Sequence, residues 1–368
     1  MIDYQSIKYD TAKIEAAVFT AGDGQKEYHL TIHPQKGLSF KEQYSHAIEA
    51  LESFIRNEDP AAVPVFMRWF MSDAANQQGF IETERFPCPV SFIQQPPLDG
   101  SKVSLWVWLA TDATVTRSDD GMWTAEFAGV RHLLLNGQCR NDDDSESQTK
   151  DIFEAYCSML SRRGCSLKDN CIRTWLYVQD IDVNYMGVVK GRRELFLQEG
   201  LSPQTHYIAS TGIAGRLADP SAKMIMDAYA LENVSDSQIH FLKGSTHLNP
   251  THEYGVTFER GTAVDHKDRC HVFISGTASI NNKGEIEHPG DITGQTSRMI
   301  RNVEVLLEEA GCTYKDVMVM TVYLRDIADY AVVEDMMMKR FPEHPKLFVL
   351  APVCRPGWLV EMECIAVR

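Results

Sequence analysis

Val-Phe-Ile-Ser-Gly-Thr-Ala-Ser-Ile, residues 272–280, opens the stretch whose reading decides the fold. Gly-Asp-Ile-Thr-Gly-Gln-Thr follows at 290–296. Apolar residues at helical spacing come next: Ile300, Val303, Leu306, Leu307 and Ala310. Met318–Leu324 has the apolar content of a buried strand and exits through Asp326-Ile327. Cys354-Arg355-Pro356-Gly357-Trp358 then leads into a closing strand, Leu359–Val367. Alternation puts Glu361 and Glu363 of that strand on one face. Helix period gives way to strand period twice, which predicts a small α+β unit.

The unit repeats. Gln148-Thr149, Gly164-Cys165 and Lys168-Asp169 recur, in one register, as Gln295-Thr296, Gly311-Cys312 and Lys315-Asp316. Both copies run into a strand that ends Tyr-x-x-Asp-Ile, at Tyr177 and at Tyr323. The middle copy has one extra residue before it, as a bulge would add. Leu133–Gln138 answers Phe273–Thr277, and Met224–Leu231 answers Val360–Val367.

A fainter copy comes first. It has a strand at Tyr28–Ile32 and a helix opened by Ser39 with apolar Ala47, Ile48, Leu51, Phe54 and Ile55. Strands at Val65–Met71 and Val103–Ala110 complete it. The expected units are 1–115, 122–235 and 250–368, joined by turn-rich links at Ser118–Gly121 and Ser235–Pro250. Asn141–Asp144 reads as a solvated acidic loop. A small sheet with helices on one face must bury the other. Three linked copies do so around a pseudo-threefold axis, with clefts between neighbours.

The 368 residues are 44% hydrophobic and 24% charged, a globular composition with length for two or three domains. A net charge of −15 argues against a nucleic-acid or acidic membrane surface but leaves room for a small anion held by local arginines. No apolar run reaches the ~20 residues of a membrane span. The first ten residues lack a basic region followed by an apolar core, so no secretory signal is expected. The nine cysteines are scattered with no Cys-x-x-Cys pair, which fits free thiols in a reducing cytoplasm and neither a disulfide framework nor zinc. No phosphate loop, Ser-His-Asp arrangement or metal motif is present, so no cofactor or metal is expected.

Val272–Ile280, the Gln295 helix, Met318–Ile327 and Glu361–Val367 resemble the RidA/YjgF family across the third unit; the second unit resembles it well and the first weakly. The resemblance implies three RidA-like (chorismate-mutase-like) α+β units forming an intramolecular pseudo-trimer, with a small-molecule site between units. Imine-hydrolysing members carry an arginine on the strand before the closing pair. Phe348 stands there in the third unit, and neither His206-Tyr207 nor Ser91-Phe92 supplies it in the others.

Arg173-Thr-Trp-Leu-Tyr177, Gly191-Arg192, Ala209–Ile213, Thr257–Gly261 and Cys354–Glu361 are similar to the chorismatase branch, which builds a pseudo-trimer from one chain. That similarity implies an enzyme releasing pyruvate from chorismate or a related enolpyruvyl cyclohexadiene carboxylate. Glu361 is then the acid, and Gly261 with Cys354 the product-determining pair. The alternatives are a RidA-like deaminase of enamines or imines, and a non-catalytic binder of small molecules.

The chemistry needs a carboxylic acid kept protonated near neutral pH, which burial among apolar groups achieves. Glu361, between Val360 and Met362, suits this; Glu363 has a counterpart in Asp227 and reads as structural. Substrate carboxylates call for arginines: Arg355 first, then Arg173, Arg192 and Arg260, each of which alone is equally a salt-bridge partner. Thr211-Gly212 and Gly276 offer close backbone approach to an anion, and Tyr207 joins the binding set. Cys354, beside Arg355, is either a thiol of depressed pKa or a small buried hydrophobe. His247 and His252 sit in the link within reach of a cleft, and Met336–Met338 reads as core.

Overall fold

The computed structural model describes residues 2–82, 85–141 and 144–368; Asp142 and Asp143 of the expected acidic loop lie outside the described residues. The first sheet contains β1 (Asp3–Lys8), β2 (Ala12–Thr20), β3 (Lys26–Pro34), β4 (Ala62–Met71), β5 (Val90–Gln94) and β6 (Val103–Thr111). The second contains β7 (Thr114–Arg117), β8 (Trp123–Phe127), β9 (Val130–Cys139), β10 (Cys171–Val178), β11 (Ala209–Ala214) and β12 (Met224–Leu231). The third contains β13 (Ile239–Leu242), β14 (Gly261–Asp265), β15 (Cys270–Ala278), β16 (Val317–Leu324), β17 (Lys346–Leu350) and β18 (Val360–Val367). Their orders, β1-β2-β3-β6-β4-β5, β7-β8-β9-β12-β10-β11 and β13-β14-β15-β18-β16-β17, are one topology written three times. In each, only the last pair is parallel, and the connection between its strands crosses over one face.

Two short strands fall where the sequence reading ended or linked units. β7 straddles the expected end at 115 and pairs with β8, and β13 lies inside the expected link and pairs with β14. Each has four residues, too few for a period to register.

The helices are α1 (Phe40–Glu58), α2 (Ala74–Gln77), α3 (Ser145–Ser161), α4 (Leu167–Asn170), α5 (Ile181–Gln198), α6 (Ile292–Glu309) and α7 (Tyr330–Arg340). Ser39 starts α1 through a reciprocal capping box with Glu42. Ala47, Ile48, Leu51 and Phe54 of α1 pack on β2, β3 and β6, while α3 and α5 pack together on the second sheet. A β-carbon on Gly191 would lie 2.5 Å from the Glu146 carbonyl oxygen. Glycine there lets α5 approach α3 closely and fixes where α5 points its next side chain, Arg192. Only Met337 of the Met336–Met338 run is core; Met338 is 38% exposed.

The other faces of the three sheets meet. Trp108 of the first sheet packs edge-on against Tyr229 of the second at 5.8 Å and His271 of the third at 5.8 Å. Buried ion pairs cross the seams: Arg68–Asp227 at 2.8 Å, Arg173–Glu363 at 2.7 Å and Arg269–Glu27 at 3.1 Å. Such pairs specify which faces meet, and losing one partner strands a buried charge. Glu363 and Asp227 thus share the repeated structural role their positions suggest. Among the described residues, no helix is long and apolar enough to cross a membrane.

Candidate active site

A cavity lies between the second and third units, and Glu361 of β18 forms part of its wall. Glu361 is 4% exposed, and its carboxyl makes no hydrogen bond or ion pair with a described residue. Burial, and next the charge of Glu363 on the same strand face, raise its carboxyl from the usual range to about 8; Arg173 and Arg260 oppose the rise. Gly276 faces it from β15, at a register shift between Ile274 and Thr277. A β-carbon on Gly276 would fall 2.1 Å from Glu361 Oε1, so only glycine leaves room for the carboxyl.

Two buried guanidiniums line the same cavity without a carboxylate partner among the described residues. Arg192 reaches in from α5, 2% exposed, and its nitrogens donate to Thr257 Oγ1 at 3.2 Å and Ser210 Oγ at 3.4 Å. Burial lowers its pKa. Arg260 is 4% exposed; its Nη2 donates to the Asn249 carbonyl at 3.0 Å, and its Nε has no acceptor. Arg355 stands exposed at the rim, over the rings of Tyr254 at 5.3 Å and Trp358 at 5.6 Å.

A strap, residues 244–258, covers the cavity. Arg355 donates to the Tyr254 carbonyl at 3.0 Å, Arg298 to that of His247 at 3.0 Å, and Arg193 to that of Gly255. The cavity is about 20 Å³, space for about one water.

The structure therefore brings together Glu361, Arg192, Arg260, Arg355, Gly212, Gly276 and Cys354. Four expected residues stand elsewhere. Arg173 is spent on Glu363 and on the hydroxyls of Ser275 and Thr211, inside the seam. Thr211 joins that network and accepts the Gly276 backbone N–H at 2.9 Å, so that N–H is not free for an anion. Gly261 lies in the sheet, where a β-carbon would press on the Phe273 carbonyl and Leu242, each at 3.0 Å; the glycine against the acid is Gly276. Tyr207 packs near Phe196, with its backbone N–H on Glu259, outside the cavity.

Cys354 lines the cavity, but its pKa moves opposite to a depressed thiol: burial and the nearby Glu361 carboxyl push it up to about 12. His247 and His252 do not line the cavity; Tyr254 and Phe258 of the same segment do.

Sequence reasoning passed over Tyr185, Tyr254 and Phe258. Tyr185 lies two helical turns before Arg192, a spacing that shares one face and was legible. The arginine missing from the strand has a physical substitute: β11 presents Gly212 at that register, and α5 delivers Arg192 into the cavity instead.

Only one of the three clefts has the acid. The strand pairs Tyr323↔Glu361, Tyr177↔Ile225 and Phe70↔Ser104 place Ile225 and Ser104 at the equivalent positions.

Comparison with known proteins agrees with this architecture. The Endoribonuclease L-PSP family model matches residues 262–368. A RutC family protein of Pyrococcus abyssi is 39% identical over 100 residues, covering 26% of this chain and 78% of that protein. The 3-aminoacrylate deaminase RutC of Acinetobacter baylyi is 29% identical over 97 residues, covering 26% of this chain and 77% of the relative. A crystal structure of chorismatase superposes with a TM-score of 0.65 at 18% identity, over 83% of this chain and 93% of that one, so the three-unit arrangement is a known fold. The RutC-like third unit, the repeated sheet topology and the inter-unit cavity converge: this chain belongs to the RutC family of RidA-like, endoribonuclease L-PSP proteins, with three such units in one polypeptide.

Proposed function

We propose that the cavity releases pyruvate from chorismate or a closely related enolpyruvyl cyclohexadiene carboxylate, with Glu361 as general acid. The observation that carries this reading is a buried, unpaired carboxyl of raised pKa beside two buried arginines that lack carboxylate partners.

An enolpyruvyl ether breaks once its terminal CH₂ carbon is protonated. Glu361 gives that proton and becomes a carboxylate; the ether becomes an oxocarbenium ion. Water or an oxygen of the same molecule adds to that cation, and the adduct collapses to pyruvate. Chorismate then balances as pyruvate plus a hydroxybenzoate, or, with one water added, pyruvate plus a dihydroxycyclohexadiene carboxylate. Arg192 and Arg260 take the substrate carboxylates, exchanging hydroxyl and carbonyl acceptors for charged ones. Glycine at 276 leaves the acid unobstructed.

A cavity of about 20 Å³ is far below the roughly 300 Å³ or more of a small-molecule site. Entry therefore requires the 244–258 strap to lift, and the arginine-to-carbonyl bonds that hold it are ones a dianion can compete for.

The test is purified protein with chorismate, followed by chromatography of ring products and assay of pyruvate. Pyruvate in amounts equal to the ring product supports the reading. No pyruvate from micromolar protein over hours removes it. The kinship to a RutC deaminase keeps imine hydrolysis as the second reading, examined with imines generated from amino acids.

A further inference from the structure

The three units differ sharply in one link. Between β1 and β2 the chain turns at 9–11, closed by Tyr9 N–H donating to the Ala12 carbonyl at 2.8 Å. Between β7 and β8 it turns at 118–122, closed by Ser118 N–H donating to the Met122 carbonyl at 2.9 Å. The equivalent link of the third unit, between β13 and β14, runs from 243 to 260 and supplies the strap. The enlarged link thus covers the cleft that holds the acid.

The strap bonds to every arginine that lines the cavity. Arg192 donates to Thr257 Oγ1 at 3.2 Å, Arg260 to the Asn249 carbonyl at 3.0 Å and its Oδ1 at 3.1 Å, and Arg355 to the Tyr254 carbonyl at 3.0 Å. Neutral oxygens stand where carboxylate oxygens would be stronger acceptors. The Tyr254 ring completes the likeness. It lies 5.3 Å from the guanidinium of Arg260 and 5.3 Å from that of Arg355, and meets Trp358 edge-on at 6.4 Å. A ring flanked by oxygen acceptors and held by arginines has the chemistry of a cyclic carboxylate.

The segment is built to leave as a piece. Thr251 Oγ1 donates to the Phe258 carbonyl at 2.5 Å and the Val256 N–H to the Thr251 carbonyl at 3.3 Å, so 251–258 is closed by its own bonds. Gly255, at φ 88°, makes its turn. Buried Leu248 and Asn249 anchor it on one side, and β14 begins at Gly261 on the other.

We propose that the strap is a tethered stand-in for the substrate, with the Tyr254 ring as its plug, so that an anionic ring compound enters by displacing Tyr254. This rests on the reading of the cavity as a site for a cyclic carboxylate, and it carries a sign of its own. Truncating a wall residue weakens binding, whereas truncating a plug removes a competitor and strengthens it.

Cys354, inside the cavity, reports opening without any ligand. Its labelling by iodoacetamide, followed by peptide mass mapping, is expected to quicken about tenfold in Tyr254→Ala and to keep the parent rate in Tyr254→Phe. The half-buried Cys157 of α3 should label equally in all three proteins. An unchanged Cys354 rate in Tyr254→Ala overturns the proposal. Should that variant not fold, Gly255→Ala decides, because alanine strains the left-handed turn: quicker labelling supports the plug, and an unchanged rate overturns it. Chorismate is the second probe, titrated calorimetrically into Glu361→Gln to avoid turnover. Adding Tyr254→Ala should tighten its Kd about fivefold or more, and equal or weaker binding overturns the plug. If neither protein binds chorismate, the substrate reading falls, and the Cys354 rate alone decides for or against the plug.

Discussion

The guanidinium of Arg173 lies 2.7 Å from the carboxylate of Glu363, in a seam where both are almost wholly buried. The pair joins the second unit to the third directly behind the acid cavity, and Trp175 Nε1 adds a 2.9 Å bond to the same carboxylate. Replacing Arg173 by Met takes the nearer cation from the buried Glu363 carboxylate and leaves Arg68, 4.0 Å away. A loss of about 3–5 kcal/mol in unfolding free energy is expected, measured by denaturant titration. The double variant Arg173→Met/Glu363→Met should recover much of that loss, because no lone charge remains.

Glu361 gives a pH signature with a definite sign. It acts as an acid while protonated, so turnover should fall as pH rises through about 8. Glu361→Gln keeps the shape without the proton, and a rate loss of about 10²-fold or more is expected. Full turnover by Glu361→Gln would end the assignment. Stability runs in the same direction. Between the unfolded carboxyl value near 4.5 and the folded value near 8, the folded chain holds a proton that the unfolded chain releases. Stability from this group is complete below that window and lost as pH rises through it. Glu361→Gln should therefore melt higher than the parent at pH 9, by a few degrees.

Arg192 and Arg260 are proposed to hold carboxylates. Arg192→Met should raise KM by about 10–100-fold and change kcat less. A kcat collapse at unchanged KM would instead place Arg192 in the chemical step. Arg192→Lys should rescue little, since one ammonium cannot reproduce the two-pronged donor.

The Cys354 thiol, pushed up to about 12, is not a nucleophile near neutral pH. Iodoacetamide should label it slowly at pH 7, and Cys354→Ala should keep turnover within about tenfold of the parent. A change in product identity without a fall in rate would place the side chain beside the ring, in a shaping role.

At the far end of the seams, His29, His132, His266 and His271 gather around Glu27 and Arg269. Burial, and then the proximity of His271, push His132 well below its usual value and His266 to about 3. As pH falls below about 6.5, the unfolded chain takes up protons that these two imidazoles refuse. Stability present above that pH is then lost toward pH 3, at most about 1.4 kcal/mol per pH unit for each group. His266→Gln should flatten the acid limb of a melting-temperature profile, and an unchanged slope would count against this account.

The three-unit plan was legible because it is written twice in nearly the same letters. Gln148 and Gln295 each support the loop before a closing strand: Gln148 through the Ser221 carbonyl and the Lys223 N–H, Gln295 through the Gly357 carbonyl and the Leu359 N–H. Glu361 was legible as an acid between apolar neighbours, Val360 and Met362. Whether an arginine faces the cavity or an ion pair was not. Arg173 sits in an apolar strand and Arg192 in the charged stretch Lys190–Glu194 of a helix, yet both are buried, and only the partner across the seam, Glu363 for one and no carboxylate for the other, separates them. Gly261 and Gly276 look alike for the same reason, since a glycine's role depends on what would meet its absent β-carbon. The strap escaped notice because its contacts are mostly backbone carbonyls, which leave no trace in residue identity.

Glu361, Ile225 and Ser104 hold one position in three equivalent strands. Where three identical chains assemble, one codon writes that position three times, and any substitution strikes every cleft together. In this chain each copy has its own codon. One cleft is free to keep an acid while the equivalent positions of the other two hold an isoleucine and a serine. Joining the copies end to end turned a symmetric vessel into one whose compartments mutate independently.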